Sequence, residues 1–280
     1  MKPPTLPNFF IAGAPKSGTT SLYHYLGQHP EIYMSPIKEP NYFASEIRLG
    51  EFSEHLRPRA EQDLAPLRAY LNGPMREKRF GSLISEWPDY LRLFRKVQAQ
   101  KAIGEASVCY LWSETAAANI RRSIPNARII LVLRNPVEIV FSMYLHTLRS
   151  GAIQGTFREA IERGLKQRGG RIDIWHPFLD MGLYCEQVKR YLETFPKEQL
   201  RIYWYEEYQA KPARMMADIL RFLEVDRTFR PDMSKRYLES GLPDVAPDRA
   251  DRAFLIEFYR EDIDKLSDLL KRDLSSWCGL

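Results

Sequence analysis

The stretch of residues 8–26, NFFIAGAPKSGTTSLYHYL, decides the fold. Its first part, Asn8 to Ala14, is a short apolar run bounded by proline and glycine, which is typical of a buried strand. Apolar residues at helical spacing follow from Thr19 to Leu26. Between them, Gly13 and Gly18 allow the backbone to fold around an anion, at which the N–H groups of the helix start would point. The stretch therefore predicts a strand, an anion-binding turn and a helix.

A second strand–turn–helix unit begins more than 100 residues further on. The run from Ala127 to Leu133 predicts a buried strand, and Arg134-Asn135-Pro136 leads into a helix from about Val137 to Arg149. Leu200 to Tyr205 is a third strand candidate. Helical patterns also occupy Leu183 to Thr194, Pro212 to Leu223 and Arg249 to Lys271. Because strands alternate with helices, with connections long enough for crossovers, we predict an α/β fold with a mostly parallel central sheet flanked by helices.

Two segments do not follow this alternation. Residues 45–90 are polar, punctuated by proline and only weakly periodic, which is typical of an inserted cap or a set of loops. Residues 164–177 have similar turn chemistry. Both contain bulky residues that need burial, so neither is a flexible linker. We therefore predict a single domain over residues 1–280 with lid-like insertions at about 45–90 and 164–177.

The composition excludes several classes of protein. With 44% hydrophobic and 28% charged residues, the chain is neither disordered nor fibrous. Its longest apolar runs are far short of the roughly 20 residues that cross a bilayer, so we expect no membrane span. The first ten residues lack the charged-then-apolar order of a signal peptide. We therefore expect a cytoplasmic protein.

Cysteine, histidine and charge narrow the ligand class. The three cysteines are widely scattered, and the five histidines show no metal-binding spacing, so we expect neither a disulfide framework nor a bound metal. The net charge of +5 fits an anionic ligand. Lysine and arginine are dispersed without a run of five, so a nucleic-acid partner is not indicated.

The loop at residues 13–20, GAPKSGTT, only partly matches the nucleoside-triphosphate loop G-x-x-x-x-G-K-[ST]. Thr19 replaces the lysine that should follow Gly18, and Lys16 stands inside the loop instead. The strongest later strand ends in Arg134 rather than in a magnesium-binding aspartate. A magnesium-dependent phosphotransferase is therefore disfavoured, although it stays open as an alternative, as does a non-catalytic nucleotide-binding module.

The motifs P-K-S-G-T-T-S-L and L-R-N-P, the latter followed by F-S-M-Y, resemble those of sulfotransferases that use 3′-phosphoadenosine-5′-phosphosulfate (PAPS). The resemblance covers most of the chain. It implies PAPS as co-substrate, adenosine 3′,5′-bisphosphate as product, and no metal. The implied 5′-phosphosulfate loop comprises Lys16, Ser17, Gly18, Thr19 and Thr20. The implied 3′-phosphate ligands are Arg134 and Ser142, with Lys235 and Arg236 in a basic loop over the nucleotide.

The same resemblance implies the catalytic residues. Lys38-Glu39-Pro40-Asn41-Tyr42-Phe43 is similar to the K-E-P-x-[YF]-F segment of carbohydrate-acting members, in which the glutamate is the base, whereas the phenol and steroid branch uses histidine. Glu39 is thus the implied base, and the Lys16 ammonium suits stabilisation of the leaving phosphate. Lys38 is expected to contact donor or acceptor. The alternative is that Glu39 is a solvated loop carboxylate paired with Lys38.

Acceptor residues are harder to assign. Residues 103–110, IGEASVCY, resemble the acceptor-lining segment G-E-K-[ST]-P-x-Y, but Ala106 replaces its lysine and Val108 its proline. These two departures weaken the inference that this chain shares the polysaccharide specificity of the carbohydrate-acting members. We expect the acceptor to be a small molecule, lipid or glycan, covered by the two insertions, and its identity, O- or N-sulfation and the oligomeric state stay open. The candidate acceptor contacts are Glu105, Ser107, His176 and Tyr184.

Overall fold

The computed structural model describes residues 4–173, 176–235, 237 and 246–279. The strands in these ranges are β1 Phe9–Gly13, β2 Ile32–Met34, β3 Ile37–Lys38, β4 Arg79–Phe80, β5 Ala102–Ala106, β6 Arg128–Leu133 and β7 Leu200–Trp204. The helices are α1 Thr19–Leu26, α2 Arg57–Asn72, α3 Trp87–Arg92, α4 Cys109–Trp112, α5 Ala116–Ser123, α6 Pro136–Arg149, α7 Phe157–Lys166, α8 Tyr184–Thr194, α9 Tyr205–Ala210, α10 Pro212–Phe222 and α11 Arg249–Leu270. None of these helices is both long enough and apolar enough to cross a membrane.

The central sheet has the strand order β2-β5-β1-β6-β7, and each neighbouring pair is parallel. Strand β1 lies in the middle, where Phe9 is in register with Gly104 of β5 and Arg128 of β6. The predicted α/β fold with a parallel central sheet is confirmed. Because parallel strands end at the same edge, the segments that follow β1, β5 and β6 all lie together.

Helices cover both faces of this sheet. Phe10 and Ala12 of β1 pack into a core on one face that includes Val137 of α6 and Leu255 of α11. Their alternating neighbour Ile11 packs on the opposite face, where α1 and α10 supply the apolar side chains. The alternation follows from the two-residue repeat of a strand, which sends successive side chains to opposite faces.

The segment 45–90 is more ordered than a set of loops. It contains α2, α3 and β4, and β4 pairs in parallel with β3. Helix α2 was not predicted, because only Leu67 and Leu71 of its side chains are buried and Pro66 interrupts its pattern. A predicted boundary was also wrong: β7 ends at Trp204, and Tyr205 begins α9.

The two insertions contact each other directly. The Ser53 N–H donates to the Ile172 carbonyl over 2.9 Å, and the Ile172 N–H donates to the Glu51 carbonyl over 3.1 Å. Backbone pairing at Phe52 and Ile172 therefore joins two segments that are far apart in sequence.

Replacement of Gly104 tests the packing of the central strands. A Cβ at this position would lie 2.2 Å from the Phe9 ring and 2.6 Å from Met34 Sδ. Because Phe9 is fully buried, Gly104→Ala should destabilise the protein by about 1–3 kcal/mol in urea unfolding. Gly50→Ala is the matched control, since nothing lies within 4 Å of its added Cβ. Equal stability of the two variants would contradict this packing.

Candidate functional site

The loop between β1 and α1 is shaped by its glycines and buried hydroxyl residues. Gly18 precedes α1 with φ 76°, a left-handed conformation, and a Cβ there would lie 2.8 Å from the Tyr208 ring. Thr19 and Thr20 begin the helix and are buried. Ser17 is fully buried, and its hydroxyl donates to the Pro15 carbonyl over 3.2 Å. The free N–H groups at the start of α1 therefore follow a tightly held loop, which is the arrangement that binds phosphate.

Arg134 links this loop to the end of β6. Its Nη1 donates to the Lys16 carbonyl over 2.7 Å. The guanidinium lies 4.6 Å from the centre of the Tyr205 ring, and Nη2 is 4.0 Å from Glu138 Oε2. The two motifs that the sequence places far apart thus form one site.

The turn that carries Arg134 is held from three other parts of the chain. The Asn135 N–H donates to Glu206 Oε1 over 3.1 Å, and its side-chain amide donates to the Trp277 carbonyl over 3.3 Å. The Tyr184 hydroxyl donates to the Arg134 carbonyl over 3.0 Å. Tyr184 is fully buried and supports the turn that carries Arg134, and its contact with an acceptor stays a prediction.

One face of α6 points along the same site. Glu138, Ser142 and His146 follow one another at four-residue spacing, so they share a helix face. Ser142 is half-buried and lies two turns after the Arg134 turn. Its predicted pairing with Arg134 is compatible with this geometry.

The site is rich in positive charge. Lys16 has its pKa lowered to about 8, first by burial and then by Arg134 and Lys38, while Glu39 raises it. Lys38 is only 2% exposed, and its Nζ lies 2.5 Å from Glu39 Oε1. The ion pair of the alternative interpretation of Glu39 is therefore formed. Three cations, Lys16, Lys38 and Arg134, share the site with the carboxylates of Glu39 and Glu138, and this excess of positive charge favours binding of an anion.

The backbone around these side chains is strained. Lys16, Glu39 and Asn41 have φ values of 55°, 65° and 59°, the left-handed region that non-glycine residues seldom adopt. Such conformations cost of order 1–3 kcal/mol each and persist where surrounding contacts impose them. For Glu39, its N–H donates to the Ala106 carbonyl over 2.7 Å, and its carbonyl accepts from the Ser82 N–H over 3.0 Å.

Glu105 lies behind this loop in a network of hydroxyls. The Ser107 hydroxyl donates to Oε1 over 2.6 Å, and the Tyr90 and Tyr110 hydroxyls donate to Oε2 over 2.6 and 3.2 Å. The Ser107 oxygen in turn accepts from the Asn41 N–H over 3.2 Å. Because Glu105 is fully buried, it fixes the loop that carries Glu39 through Ser107, and it touches no open surface.

His146 is a site residue that the motif search did not include. The pKa of its imidazole is lowered by burial and by the charges of Lys16 and Arg149, whereas Glu39 raises it. The histidine therefore lies within electrostatic range of both the loop lysine and Glu39. The available signal was its position four residues after Ser142, on the same face of α6.

The basic loop near residue 235 lies against α1. The Tyr237 N–H donates to Ser21 Oγ over 3.1 Å, and the Tyr25 hydroxyl donates to the Lys235 carbonyl over 2.8 Å. The Tyr237 ring stacks on His24 at 3.9 Å between centres. Lys235 is thus held beside the helix that follows the phosphate loop. Arg236 lies outside the described residues, and the roles of both residues stay predictions.

His176 lies away from Lys16 and Glu39 among the described contacts. It lines a cavity of about 900 Å³ together with residues of both insertions. The structure therefore brings together Lys16, Arg134, Lys38 and Glu39, and it places His176 in a separate part of the cleft. Its acceptor contact stays a prediction.

Comparison with known proteins identifies a family. The model of the family described as "Sulfotransferase family" matches residues 7–229 of this chain, which include the phosphate loop, Glu39, Arg134 and α6.

Two solved structures share the fold. A sulfotransferase from Alicyclobacillus acidocaldarius superposes with a TM-score of 0.80 at 33% identity, covering 98% of this chain and 100% of that one. A sulfotransferase domain from the curacin biosynthetic pathway gives a TM-score of 0.57 at 13% identity, covering 97% of this chain and 100% of that domain. At that identity the second likeness concerns the fold alone.

Curated relatives are longer proteins. A membrane-associated sulfotransferase of Dictyostelium discoideum is 23% identical over 96% of this chain and 66% of its own length. The bifunctional heparan sulfate N-deacetylase/N-sulfotransferase 2 of Bos taurus is 28% identical over 95% of this chain and 30% of its own. The chain thus spans less than two thirds of each.

The buried network makes stability depend on the protonation of Glu105. Burial raises the pKa of its carboxyl to about 7, although three hydroxyls lower it in part. In the unfolded chain this pKa is about 4.3, so the folded state binds more protons between these values. The Glu105 contribution to the free energy of unfolding should therefore fall as pH rises from about 4.3 to about 7. Glu105→Gln removes this contribution.

Urea unfolding at about pH 5 and about pH 8 measures the effect as the change in stability of each protein between the two conditions. We expect a smaller loss for Glu105→Gln than for the wild type. The control is Glu54→Gln, an exposed carboxylate in the same half of the chain, which should follow the wild type. Parallel pH dependences of wild type and Glu105→Gln would contradict the assignment.

Proposed function

This chain belongs to the sulfotransferase family, and on that premise we propose that it transfers a sulfuryl group from PAPS to a hydroxyl acceptor. The observation that carries the proposal is the hydrogen bond from Arg134 to the Lys16 carbonyl. It combines the loop after β1 and the end of β6 into one cationic site, next to the starts of α1 and α6. Glu39 and His146 are both within electrostatic range of Lys16.

The residues present fit a donor with two anionic ends. The start of α1 offers N–H groups and the buried hydroxyl residues Thr19 and Thr20 for a 5′-phosphosulfate. Arg134 and Ser142 are placed for a 3′-phosphate, since a guanidinium forms strong charge-assisted hydrogen bonds to phosphate. PAPS supplies an activated sulfuryl group on a phosphate oxygen. The adenosine side is assigned to the loop that holds Lys235 against α1.

Lys16 is the group that stabilises the leaving phosphate. As the S–O bond to the donor phosphate breaks, negative charge collects on the phosphate oxygen, and an ammonium in the loop offsets it. The positive charges of Arg134 and Lys38 destabilise the Lys16 ammonium. A bound anion offsets this repulsion and so stabilises the charged form of Lys16.

Glu39 is the proposed base. Its carboxylate takes the proton of the acceptor hydroxyl while the acceptor oxygen forms the new S–O bond. The buried Lys38 ammonium holds one carboxylate oxygen at 2.5 Å, which orients the group, and the side chain of Glu39 is 32% exposed and so accessible to an acceptor. The ion pair and the base role are therefore compatible.

Two other functions require different binding behaviour, which experiment can detect. A magnesium-dependent phosphotransferase would need a metal for tight nucleotide binding, and a non-catalytic module would bind nucleotide without turnover. The presence of Lys16, Glu39 and His146 around one position supports transfer chemistry. For the acceptor, we propose a glycan or small molecule that enters beneath the two insertions.

Binding of adenosine 3′,5′-bisphosphate tests the donor site. We expect it to bind in the presence of EDTA and, at 100 times its dissociation constant, to stabilise the fold by about 2.7 kcal/mol. Affinity should fall as pH rises above about 8, because Lys16 then loses its proton. Lys16→Met should bind more weakly and show no such fall, whereas the exposed-lysine control Lys166→Met should behave as wild type.

Calorimetric titration at pH values below and above about 8, with and without magnesium, measures the affinities for adenosine 3′,5′-bisphosphate and for ATP. Binding that requires magnesium, or that is tighter for ATP, would instead favour a phosphotransferase.

The Glu39→Gln variant distinguishes a catalytic base from a carboxylate that only forms an ion pair with Lys38. The amide keeps the size and can still accept from the lysine, but it cannot take a proton. Single-turnover transfer from radiolabelled PAPS, with an acceptor found in a screen of glycans and small hydroxyl compounds, should slow by about 10²–10⁴-fold. Affinity for adenosine 3′,5′-bisphosphate should stay within about threefold. Glu54→Gln serves as the control. Unchanged turnover, or a loss confined to nucleotide affinity, would remove Glu39 from the base role.

A further inference from the structure

A cavity outside the donor site lies between the two insertions. It has a volume of about 900 Å³, within the roughly 300–1,000 Å³ typical of small-molecule sites. Its walls come from residues within 45–51, from Trp112 at the end of α4 and Glu114, and from residues within 168–172 and 176–187, which include the start of α8. We refer to it as the insertion cavity.

The insertion cavity is continuous with the elements that carry the proposed base. Ser45 and Glu46 on its wall follow the Glu39 loop after a few residues, and Trp112 ends the helix that follows Ser107. The Cys109 thiol, whose pKa is raised by burial, also feels the charges of both Glu39 and Glu46. Cys109 is therefore within electrostatic range of both the proposed base and a carboxylate of the cavity wall.

The charge of the cavity is opposite to that of the donor site. Its described lining carries two guanidiniums, of which Arg168 is paired with Asp180 at 2.6 Å. Four carboxylates face them, those of Glu46, Glu51, Glu114 and Asp180. The net negative charge lies in a protein whose overall charge is +5. A ligand that carries carboxylate or sulfate groups would be repelled here.

Two buried polar atoms on the wall, one in each of two side chains, lack a hydrogen-bond partner. Gln187 is only 6% exposed; its amide donates to the Asp180 carbonyl over 2.9 Å, but its Oε1 has no partner. His176 Nδ1 is also without a hydrogen bond and lies 3.9 Å from Asp180 Oδ2. Among the described residues only three buried side-chain polar atoms are unpaired, and two belong to this cavity. An unpaired buried acceptor is costly, so a donor group from a ligand fits there.

We propose that the insertion cavity binds the acceptor at some distance from the sulfated position and selects glycans that carry hydroxyl or amino groups but no negative charge. The inference rests on the proposed function and specifies its acceptor class. A sugar ring suits the lining, since its hydroxyl edge can donate to carboxylates and to Gln187 while its C–H face packs on Trp112. A long lipid chain does not, because charged groups line so much of the wall.

Three trisaccharide probes test the proposal by calorimetry in the presence of adenosine 3′,5′-bisphosphate: a glucosamine trimer, an N-acetylglucosamine trimer and a galacturonate trimer. The first two should bind at least tenfold more tightly than the galacturonate trimer. Converting the exposed residues Glu51 and Glu114 to lysine should lower the glucosamine-to-galacturonate affinity ratio by at least tenfold. Gln187→Leu should weaken the glucosamine trimer about tenfold.

The double variant Glu61→Lys/Glu193→Lys makes the same charge change at exposed positions outside the described cavity wall and should leave the ratio unchanged. The proposal is overturned if the galacturonate trimer binds as tightly as the others, if no trimer binds, or if the control variant shifts the ratio equally. Titrating adenosine 3′,5′-bisphosphate alone into the wild type and each variant separates the two levels: absence of nucleotide binding to the wild type contradicts the proposed function, whereas loss of charge selection with nucleotide binding intact contradicts only this inference.

Discussion

The hydrogen bond from the Arg134 guanidinium to the Lys16 carbonyl is the contact on which the arrangement of the site depends. It is possible because β1 and β6 are neighbours in a parallel sheet, so the chain leaves both strands at one edge. Two loops that would otherwise repel through their cations are thereby tied by a backbone acceptor. The turn that presents Arg134 is in turn fixed by Asn135 and by Tyr184, which explains why a fully buried tyrosine so far along the chain matters to the same site.

A second set of contacts imposes the conformation of the Glu39 loop. The left-handed backbone at Glu39 and Asn41 is unfavourable by itself, and the bonds to Ala106 and Ser107 hold it. Those bonds lead to Glu105, a carboxylate that pairs with hydroxyl groups instead of a cation. Burial without a counter-charge is costly for a carboxylate, so this network exchanges some stability at neutral pH for a fixed loop.

The donor half of the site and the insertion cavity carry opposite charges. Lys16, Lys38 and Arg134 make the donor half cationic, whereas carboxylates dominate the insertion cavity. Under the proposed function, the anionic donor would bind at the cationic half, and an uncharged or amino-bearing acceptor would suit the insertion cavity. Such a division separates the two ligands by charge before any detailed contact forms. The backbone hydrogen bond between Ser53 and Ile172 joins the two insertions that line the insertion cavity.

The sequence by itself determined the α/β fold, the phosphate loop and helix α1, because these are local patterns: strand, glycine turn and helix are encoded within about twenty residues. It also indicated Arg134, since the residue ends the strongest strand. It could not show that Glu105 is buried among tyrosines, that His146 lies within electrostatic range of Lys16, or that segments near residues 52 and 172 pair. Helix α2 was missed because its exposed face weakens the periodic signal. These features depend on contacts between distant segments, and burial, pKa and cavity shape arise only when the tertiary fold brings such segments together.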